Sequence, residues 1–434
     1  MILSLTEWFL IRFRLRCLFG VWYIFNVSTK AKIEVISEGE VTSPEGFSAG
    51  ATYAGIKKKS KDVLDLTILC SEVTCNAAAV FTSNKVKAAP VILDRDRLLK
   101  DGRARAVVIN SGCANACTGG QGLANAALTA GMAAVKLGIA AEEVLVASTG
   151  VIGVQLPMDK IEQGIGRITL SRNGGRELTR AIMTTDTRPK KIALKVKQGK
   201  SEFTIAGTAK GAGMIHPDMA TMLCFITTDA AVDQKFLKLS LKKAVDISLN
   251  MISVDGDTST NDTVLILANG LAGNKIISGG GAAALAFQQA LNQVCLHLAR
   301  AIACDGEGAS RLIEIKVNGA RNLSDARLAA RTIASSSLVK TAIHGCDPNW
   351  GRIIAAAGRS GAGVDQNRSD VYIENMCLLK SGVPLPFDKK QAAALLNHEE
   401  VSLRLDLNLG QANAVAWGCD LSEEYVVINS EYTT

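Results

Sequence analysis

The chain has 434 residues, 48% of them hydrophobic, and a formal net charge of +7 at pH 7. This apolar fraction fills a large core, so we expect a soluble globular protein of about two to four domains. The N-terminal 33 residues contribute +4 of the charge, and the remaining +3 over residues 34–434 argues against a nucleic-acid-binding surface.

Residues 1–33 differ from the rest of the chain, because they hold seven of its twenty aromatic side chains and five basic residues against one acidic residue. Arg12, Arg14 and Arg16 interrupt the apolar run and leave about nine apolar residues, too few to span a bilayer. No cleavage site of the Ala-x-Ala type follows. We therefore expect a disordered appendage or an over-long start, with organellar targeting as the alternative.

Beyond this segment, short β-rich runs alternate with Ala-rich helical stretches, which predicts an α/β fold. The run Lys57-Lys58-Lys59-Ser60-Lys61 indicates a solvated loop. The patterns up to residue 268 predict one helix, at 123–137, and buried strands at 104–110, 144–147, 222–228 and 263–268.

The last third of the chain begins with Gly279-Gly280-Gly281, which marks a flexible join that could separate two lobes. A long apolar helix is predicted over 282–303. From residue 401 to residue 409, leucine alternates with polar residues, which is typical of an antiparallel strand with one solvated face.

Eleven cysteines are scattered along the chain without the dense spacing of a secreted disulfide scaffold, which indicates a reducing compartment, and we expect the cytoplasm. Most of them, Cys224 included, are expected to be buried thiols. The close pairs Cys70/Cys75 and Cys113/Cys117 have no His-x-His or second cysteine pair nearby, so we expect no metal site.

Two ligand motifs are incomplete. Gly199-Lys200-Ser201 resembles the end of a phosphate loop, but Leu194 stands at the leading glycine position, so ATP binding by this route is rejected. Asp255-x-Asp257-x-Ser259 begins like a calcium loop, yet Thr260 replaces the turn glycine and Ile266 the bidentate glutamate. We expect this run, with Asn261 and Asp262, to form a structural loop near the site.

Residues 211–223, Gly-Ala-Gly-Met-Ile-His-Pro-Asp-Met-Ala-Thr-Met-Leu, place a hydroxyl nucleophile behind a small residue in a glycine-rich turn. The Thr221 oxygen can attack the Ala220 carbonyl, and hydrolysis of the resulting ester leaves Thr221 as a new chain terminus. A terminal α-amine ordinarily has a pKa of about 7.7–8.0, so it can then serve as the base for the hydroxyl. Such a threonine is often an ordinary strand residue, so the local sequence leaves both interpretations open.

The run from Gly213 to Leu223 resembles the processing site of the ornithine acetyltransferase family, also called the glutamate N-acetyltransferases. In that family the threonine is both the cleavage point and the nucleophile. The resemblance covers residues 34–434, with Cys113 where an asparagine is expected. It implies an α/β fold of sheets packed between helices, an α chain of residues 34–220, a β chain of residues 221–434, and an α2β2 heterotetramer.

The same resemblance assigns roles to individual residues. Ser148-Thr149-Gly150-Val151-Ile152-Gly153 is similar to the family's oxyanion-hole segment, in which the Thr149 hydroxyl and the Gly150 backbone stabilise the oxyanion. Lys210 is expected to hold a carboxylate or to lower the pKa of the Thr221 amine, and Glu307 to pair with a substrate ammonium. The substrate contacts implied by the resemblance are Thr184, Lys210, Thr221, Glu307, Asn429 and Thr434. His216 is expected to contribute to cleavage geometry, and Asp347 to Arg352 to structural support.

The resemblance implies ping-pong acetyl transfer from N-acetyl-L-ornithine to L-glutamate through an acetyl ester on Thr221, in arginine biosynthesis. No cofactor or metal is required, and the partners are small molecules, with neither nucleic acid nor membrane. Three alternatives stay open: acetyl-CoA as a second acetyl donor, a self-processing amidohydrolase or aminopeptidase that releases the acyl group to water, and a non-enzymatic binding protein.

Overall fold

A computed structural model describes residues 31–57, 63–216 and 222–431 of the chain. Ala220 and Thr221 at the predicted cleavage site, Thr434, and residues 1–30 of the predicted appendage lie outside these described residues. Residue 33, the predicted end of the appendage, belongs to the first strand, which begins at Lys32 and pairs with a later strand of the fold.

The described residues form sixteen strands, in chain order β1 (Lys32–Val35), β2 (Phe47–Thr52), β3 (Leu66–Phe81), β4 (Arg103–Cys113), β5 (Val144–Val151), β6 (Lys190–Gln198), β7 (Ser201–Lys210), β8 (Leu223–Thr228), β9 (Ile252–Ser253), β10 (Thr263–Ala268), β11 (Leu312–Ala320), β12 (Asp370–Ile373), β13 (Met376–Lys380), β14 (Val383–Pro384), β15 (Glu400–Asp406) and β16 (Ala412–Cys419).

The α-helices of the same residues are α1 (Ala89–Lys100), α2 (Gly119–Leu137), α3 (Met158–Arg167), α4 (Gly175–Ala181), α5 (Gln234–Asp246), α6 (Gly281–Cys304), α7 (Leu323–Ala334), α8 (Ser337–His344), α9 (Trp350–Gly358), α10 (Lys389–Leu396) and α11 (Glu423–Ser430). Among these helices, none combines the length and the apolar character that a bilayer span requires.

The strands form two mixed sheets. The first runs β1-β6-β7-β8-β10-β3-β4-β5, with β2 also paired to β3, and the second runs β14-β13-β12-β15-β11-β16-β9. Helix α6 contacts β6 and β7 of the first sheet and β16 of the second, so it lies between them. The predicted α/β fold with sheets packed among helices is confirmed.

The centre of the first sheet is buried on both faces. In β8 and β10, Cys224 and Ile266 pack into the cluster that contains α6, whereas Phe225 and Leu265 pack on the opposite face against Leu178 of α4. Every residue of both strands is buried, which explains why they appear in the sequence as unbroken apolar runs. The predictions of these strands, of α2 and α6, and of Cys224 as a core thiol are confirmed.

Three local expectations need correction. The strand expected over 401–409 covers Glu400–Asp406 and does alternate in burial, but it is antiparallel only to β12 and is parallel to β11. Lys57 is buried rather than solvated, and its ammonium donates to the carbonyls of Leu64 and Met183, at 3.1 and 2.6 Å, whereas residues 58–61 of the predicted solvated loop lie outside the described residues. Residues on both sides of the triple glycine share one hydrophobic cluster, so the glycines do not separate two lobes.

Candidate active site

One pocket, of about 140 Å³, brings together six of the residues that the sequence singled out, which come from five separate parts of the chain: Thr149, Gly150, Thr184, Lys210, Glu307 and Asn429. The predicted nucleophile, Thr221, lies one residue before Met222, whose backbone carbonyl accepts a hydrogen bond from Thr263 at the start of β10. Thr221, Ala220 and Thr434 themselves lie outside the described residues.

The predicted oxyanion segment lies at the end of β5, where this strand runs parallel to β4. Gly150 pairs with Gly112 and has a φ of +132°, and a Cβ atom on Gly150 would lie 2.3 Å from the Gly112 carbonyl carbon. No side chain fits at this position, so only glycine allows the two strands to approach this closely. Thr149 is 3% exposed, and within the described part of the chain its hydroxyl makes no hydrogen bond, which leaves it available to a ligand.

The loop that begins like a calcium site instead supports the oxyanion segment. Asn261 donates from its amide nitrogen to the carbonyls of Ser148 (2.8 Å) and Ala114 (2.6 Å). Ser259, Thr260 and Asn261 also line the pocket, as expected of a structural loop near the site. Across the described ranges, no group of three or more His, Cys, Asp or Glu side chains is arranged to hold a metal ion.

Lys210 ends β7 and pairs in register with Leu223, the first residue of β8. Leu223 follows Thr221 by two residues in the chain, so Lys210 pairs with the strand that begins just after the predicted nucleophile. Lys210 is only 2% exposed, and its ammonium has no hydrogen-bond or ion-pair partner among the residues of known placement. Burial lowers the pKa of Lys210 below its ordinary value, although the nearby carboxylate of Asp186 raises it.

Glu307 faces the same pocket from the turn between α6 and β11. Its Oε2 atom accepts a hydrogen bond from the Asn429 amide at 2.8 Å, and its backbone nitrogen donates to the Ala212 carbonyl at 2.9 Å. A Cβ atom on Gly213 would lie 2.3 Å from Oε2, so the carboxylate lies directly against the backbone of the segment that leads to the predicted cleavage site. The pocket therefore carries an anionic group and a cationic group on its lining.

Asp255 connects the turn around Gly213 to helix α11 through hydrogen bonds. Its carboxylate accepts hydrogen bonds from the backbone nitrogens of Met214 and Ile215, the latter at 2.9 Å, and from the Tyr425 hydroxyl at 3.2 Å. Asp255 thus fixes the turn that precedes the predicted cleavage site and, through Tyr425, the helix that carries Asn429.

A buried ion-pair network lies behind the predicted substrate residues. The Lys190 ammonium is 2.6 Å from both Asp186 and Asp305, and all three side chains are almost completely buried. Burial alone would raise the pKa of Asp186, but Lys190 and Lys210 hold it below its ordinary value. Asp186 in turn accepts hydrogen bonds from the backbone nitrogens of Thr184 (3.0 Å) and Gly211 (2.7 Å). The network therefore positions the loops that carry Thr184, Lys210 and Glu307.

The sequence patterns did not reveal this network. Asp186 and Lys190 lie four residues apart, but Asp305 is more than a hundred residues away, so no local pattern indicates the triad. Pocket residues Ala114, Ile152, Thr185 and Met214 lie within motifs that the sequence singled out, but none of them was predicted to line the site, because apolar and hydroxyl side chains carry no distinctive signal of their own.

Two further predicted residues lie outside the pocket lining. His216 contacts the Ser253 hydroxyl through Nδ1, at 3.3 Å. Arg352 donates to the carbonyl of Leu338 at 2.8 Å and so connects α9 to α8. These contacts are compatible with roles in local geometry and structural support.

Comparison with known proteins identifies the family. The ArgJ family matches residues 48–434. The arginine biosynthesis bifunctional protein ArgJ of Dehalococcoides mccartyi is 56% identical over 406 residues, which cover 93% of this chain and 100% of that relative. The protein of the same name from Symbiobacterium thermophilum is 53% identical over 398 residues, which cover 91% of this chain and 99% of that relative. A crystal structure of the Bacillus halodurans ArgJ protein, 43% identical, covers 48% of this chain and 97% of its own, with a TM-score of 0.46. By the family match and these identities, the chain belongs to the ArgJ family.

Proposed function

We propose that this chain is a glutamate N-acetyltransferase of arginine biosynthesis, which transfers the acetyl group of N-acetyl-L-ornithine to L-glutamate. The observation that carries this proposal is the single pocket that gathers Thr149, Gly150, Thr184, Lys210, Glu307 and Asn429. The Thr149 hydroxyl, the buried Lys210 ammonium and the Glu307 carboxylate of this pocket match the three needs of the reaction: an oxyanion donor, a carboxylate partner and an ammonium partner.

Maturation comes first in the proposed sequence. The Thr221 oxygen attacks the Ala220 carbonyl carbon, the C–N bond breaks as the nitrogen takes up a proton, and water hydrolyses the resulting ester. The products are an α chain that ends at Ala220 and carries residues 34–220 of the catalytic unit, and a β chain of residues 221–434 with a free α-amine at Thr221. Gly213 and Met214, which precede the cleavage site in the chain, line the pocket. Leu223, which follows the cleavage site, pairs with the pocket residue Lys210. The described residues on both sides of the cleavage site therefore lie at or next to the pocket.

In the first half-reaction, the Thr221 oxygen attacks the acetyl carbonyl of N-acetylornithine, and its α-amine accepts the hydroxyl proton. The Thr149 hydroxyl and the Gly150 backbone stabilise the oxyanion that forms on the acetyl oxygen. The tetrahedral intermediate collapses as its C–N bond breaks, and the proton passes from the α-amine to the departing ornithine nitrogen. An acetyl ester on Thr221 remains.

In the second half-reaction, the amine of glutamate attacks this ester, and the Thr221 oxygen leaves with the proton that the amine releases. Lys210 holds the substrate carboxylate and Glu307, with Asn429, receives an ammonium group, while Thr184 and Thr434 complete the contacts. One amide replaces another, so the reaction is close to thermoneutral and needs neither ATP nor a metal or other cofactor. We further propose an α2β2 assembly in the cytoplasm.

One observation favours a second acetyl donor. The two relatives that are 53% and 56% identical to this chain are named bifunctional. We propose acetyl-CoA as this donor. Its thioester would acetylate Thr221 at the same carbonyl position, and the second half-reaction would be unchanged.

The test is an assay of the purified protein with N-acetylornithine that carries a labelled acetyl group, with and without glutamate. The expected result is N-acetylglutamate formed in equal amount to ornithine, with free acetate as a minor product. Acetate as the main product would instead indicate the self-processing amidohydrolase. A parallel reaction with acetyl-CoA and glutamate tests the second donor.

A further inference from the structure

Asn261 is a buried residue whose side-chain amide the mechanism above does not use. Only 5% of the residue is exposed, and its amide nitrogen donates to the backbone carbonyls of Ser148 (2.8 Å) and Ala114 (2.6 Å). Its Oδ1 atom accepts a hydrogen bond from the Thr260 hydroxyl at 2.5 Å. Both N–H groups of the amide are therefore occupied, and because an amide oxygen cannot donate, only this orientation of the side chain suits the two carbonyls.

Strand pairing alone does not fix the segment that Asn261 holds. Strand β5 is the last strand of the first sheet, and among the described strands it pairs only with β4. The register between β4 and β5 shifts at Gly112 and Cys113, opposite Thr149 and Gly150. The regular ladder that sets backbone groups elsewhere in a sheet is therefore interrupted at the predicted oxyanion donors.

Asn261 holds this segment on both sides of the donors. The Ser148 carbonyl belongs to the same peptide group as the Thr149 nitrogen, and since a peptide group is planar, a fixed carbonyl also fixes that nitrogen. On the far side of the donors, the carbonyl of Val151 accepts a hydrogen bond from the backbone nitrogen of Ala114 at 2.9 Å. The amide of Asn261 is thus connected directly to Ser148 and, through Ala114, to Val151.

The same contacts engage two carbonyl oxygens close to the pocket. Ala114, Thr149 and Asn261 all line the pocket. A carbonyl oxygen turned into the pocket would repel the oxyanion that the proposed reaction forms there, whereas an oxyanion site needs donors that are in place before the reaction. Because the carbonyls of Ser148 and Ala114 point at the Asn261 nitrogen, their negative ends are already paired with a donor.

We propose that Asn261 is a positioning residue for Thr149 in oxyanion stabilisation. By holding the carbonyls of Ser148 and Ala114, its amide keeps the Thr149 hydroxyl on the pocket lining, where it can donate to the acetyl oxygen of the substrate. In the proposed mature protein, Asn261 belongs to the β chain and Thr149 to the α chain, so the contact also holds one chain against the other at the site. This inference rests on the proposed function, because it assumes that Thr149 donates to the oxyanion.

The experiment is a double-mutant cycle on acetyl transfer from N-acetylornithine to glutamate. The wild type, Asn261→Ala, Thr149→Ala and the double variant are purified as full chains, and kcat and KM are expressed per cleaved chain, as measured on a denaturing gel. Asn261→Ala is expected to lower kcat by about 10²-fold, the effect of a misplacement of about 1 Å, and to leave KM for N-acetylornithine nearly unchanged. In the Thr149→Ala background the same change should lower kcat by less than about tenfold, because the effects of residues that act through one another do not add.

Asn274→Ala is the matched control. The amide nitrogen of Asn274 also donates to two backbone carbonyls, those of Ala231 (3.2 Å) and Lys275 (2.8 Å). These contacts lie beyond the end of β8, whereas the pocket residue Lys210 pairs with the start of that strand. This variant is expected to lower the thermal midpoint but to keep the wild-type kcat.

The outcomes separate the two proposals. A wild type that forms no N-acetylglutamate removes the proposed function itself. If the wild type is active, the role of Asn261 is overturned when cleaved Asn261→Ala keeps its kcat, when the loss of kcat is equal in both backgrounds, or when Asn274→Ala loses as much. Where Thr149→Ala is not cleaved, the split between kcat and KM in Asn261→Ala decides.

A second variant covers the case in which Asn261→Ala does not fold. Asn261→Asp has the same shape but a carboxylate without N–H groups, so the same loss of kcat is expected of it. If neither variant gives a folded, cleaved chain, the amide is needed to form the protein rather than to position Thr149, and the proposal is overturned.

Discussion

The backbone of Gly213 lies directly against the carboxylate of Glu307, since a Cβ atom at residue 213 would lie 2.3 Å from Oε2 and 2.4 Å from Cδ. All the closest atoms belong to the end of one flexible side chain. An added methyl group would therefore displace the Glu307 carboxylate rather than the backbone. The glycine-rich segment that precedes the cleavage site also sets the position of the anionic group in the pocket.

Gly213→Ala is expected to weaken substrate binding and to leave the fold intact. Displacement of Glu307 removes a charge-assisted hydrogen bond to the substrate ammonium, which contributes about 1.5–3 kcal/mol, so KM for N-acetylornithine should rise at least about tenfold. Steady-state kinetics and the thermal midpoint measure the two effects. Gly131→Ala in α2 is the control, because a Cβ atom there meets open space. An unchanged KM would contradict the placement of Glu307 as an ammonium partner.

Thr149→Ala is expected to slow the chemical step. The variant removes the one hydroxyl donor assigned to the oxyanion, and loss of such a donor reduces kcat by about 10²–10³-fold. KM for N-acetylornithine should change little, because the oxyanion forms only after binding. A variant with wild-type kcat and a raised KM would instead make Thr149 a substrate-binding residue.

Lys190→Met is expected to destabilise the protein strongly. It leaves two buried carboxylates, Asp186 and Asp305, without their shared cation, and breaking a buried ion pair in this way costs about 3–5 kcal/mol. The free energy of unfolding is best measured in a Thr221→Ala background, which keeps the chain in one piece. Lys195→Met, on the exposed side of the same strand, is the control and should change stability little. Equal effects of the two changes would show that the network does not stabilise the fold.

Lys210→Met is expected to raise stability while it impairs binding. Burial lowers the pKa of Lys210 in the folded protein, so the protonated side chain destabilises the fold. That cost is complete below the lowered pKa and disappears as the pH rises through the unfolded value of about 10.4. The thermal midpoint of the variant should therefore exceed that of the wild type at neutral pH, and the difference should disappear at alkaline pH. A lower midpoint at pH 7 would contradict this account.

The same titration should appear in the kinetics of the wild type. Lys210 loses its proton at a lower pH than an exposed lysine, and the bond to the substrate carboxylate is lost with it. KM should therefore rise with pH at alkaline values below the ordinary lysine range. A KM that stays flat up to that range would place the carboxylate partner elsewhere.

Elements with a strong local pattern could be predicted from the sequence. Strands β8 and β10 were located almost to the residue, because burial on both faces gives an unbroken apolar run, and α6 was located as closely because its apolar stretch is too long for a strand. The pairing of β15 could not be predicted fully, since alternating burial fits parallel and antiparallel neighbours equally. The burial of Lys57 depends on the Met183 carbonyl, 126 residues further along the chain.

The sequence likewise indicated individual residues of the candidate site but not how they assemble. Thr149, Lys210 and Glu307 were singled out because short motifs around them resemble those of one enzyme family. Their assembly in one pocket depends on how β5, β7 and the turn after α6 meet, which no local pattern encodes.

The central claim is that cleavage before Thr221 creates the nucleophile for acetyl transfer. A denaturing gel of the purified protein, with N-terminal sequencing of each band and an acetyl-transfer assay of the same sample, tests it most directly. We expect two fragments, one beginning Thr-Met-Leu-Cys, and a Thr221→Ala variant that stays whole and inactive. An intact wild-type chain with full acetyl-transfer activity would contradict the account.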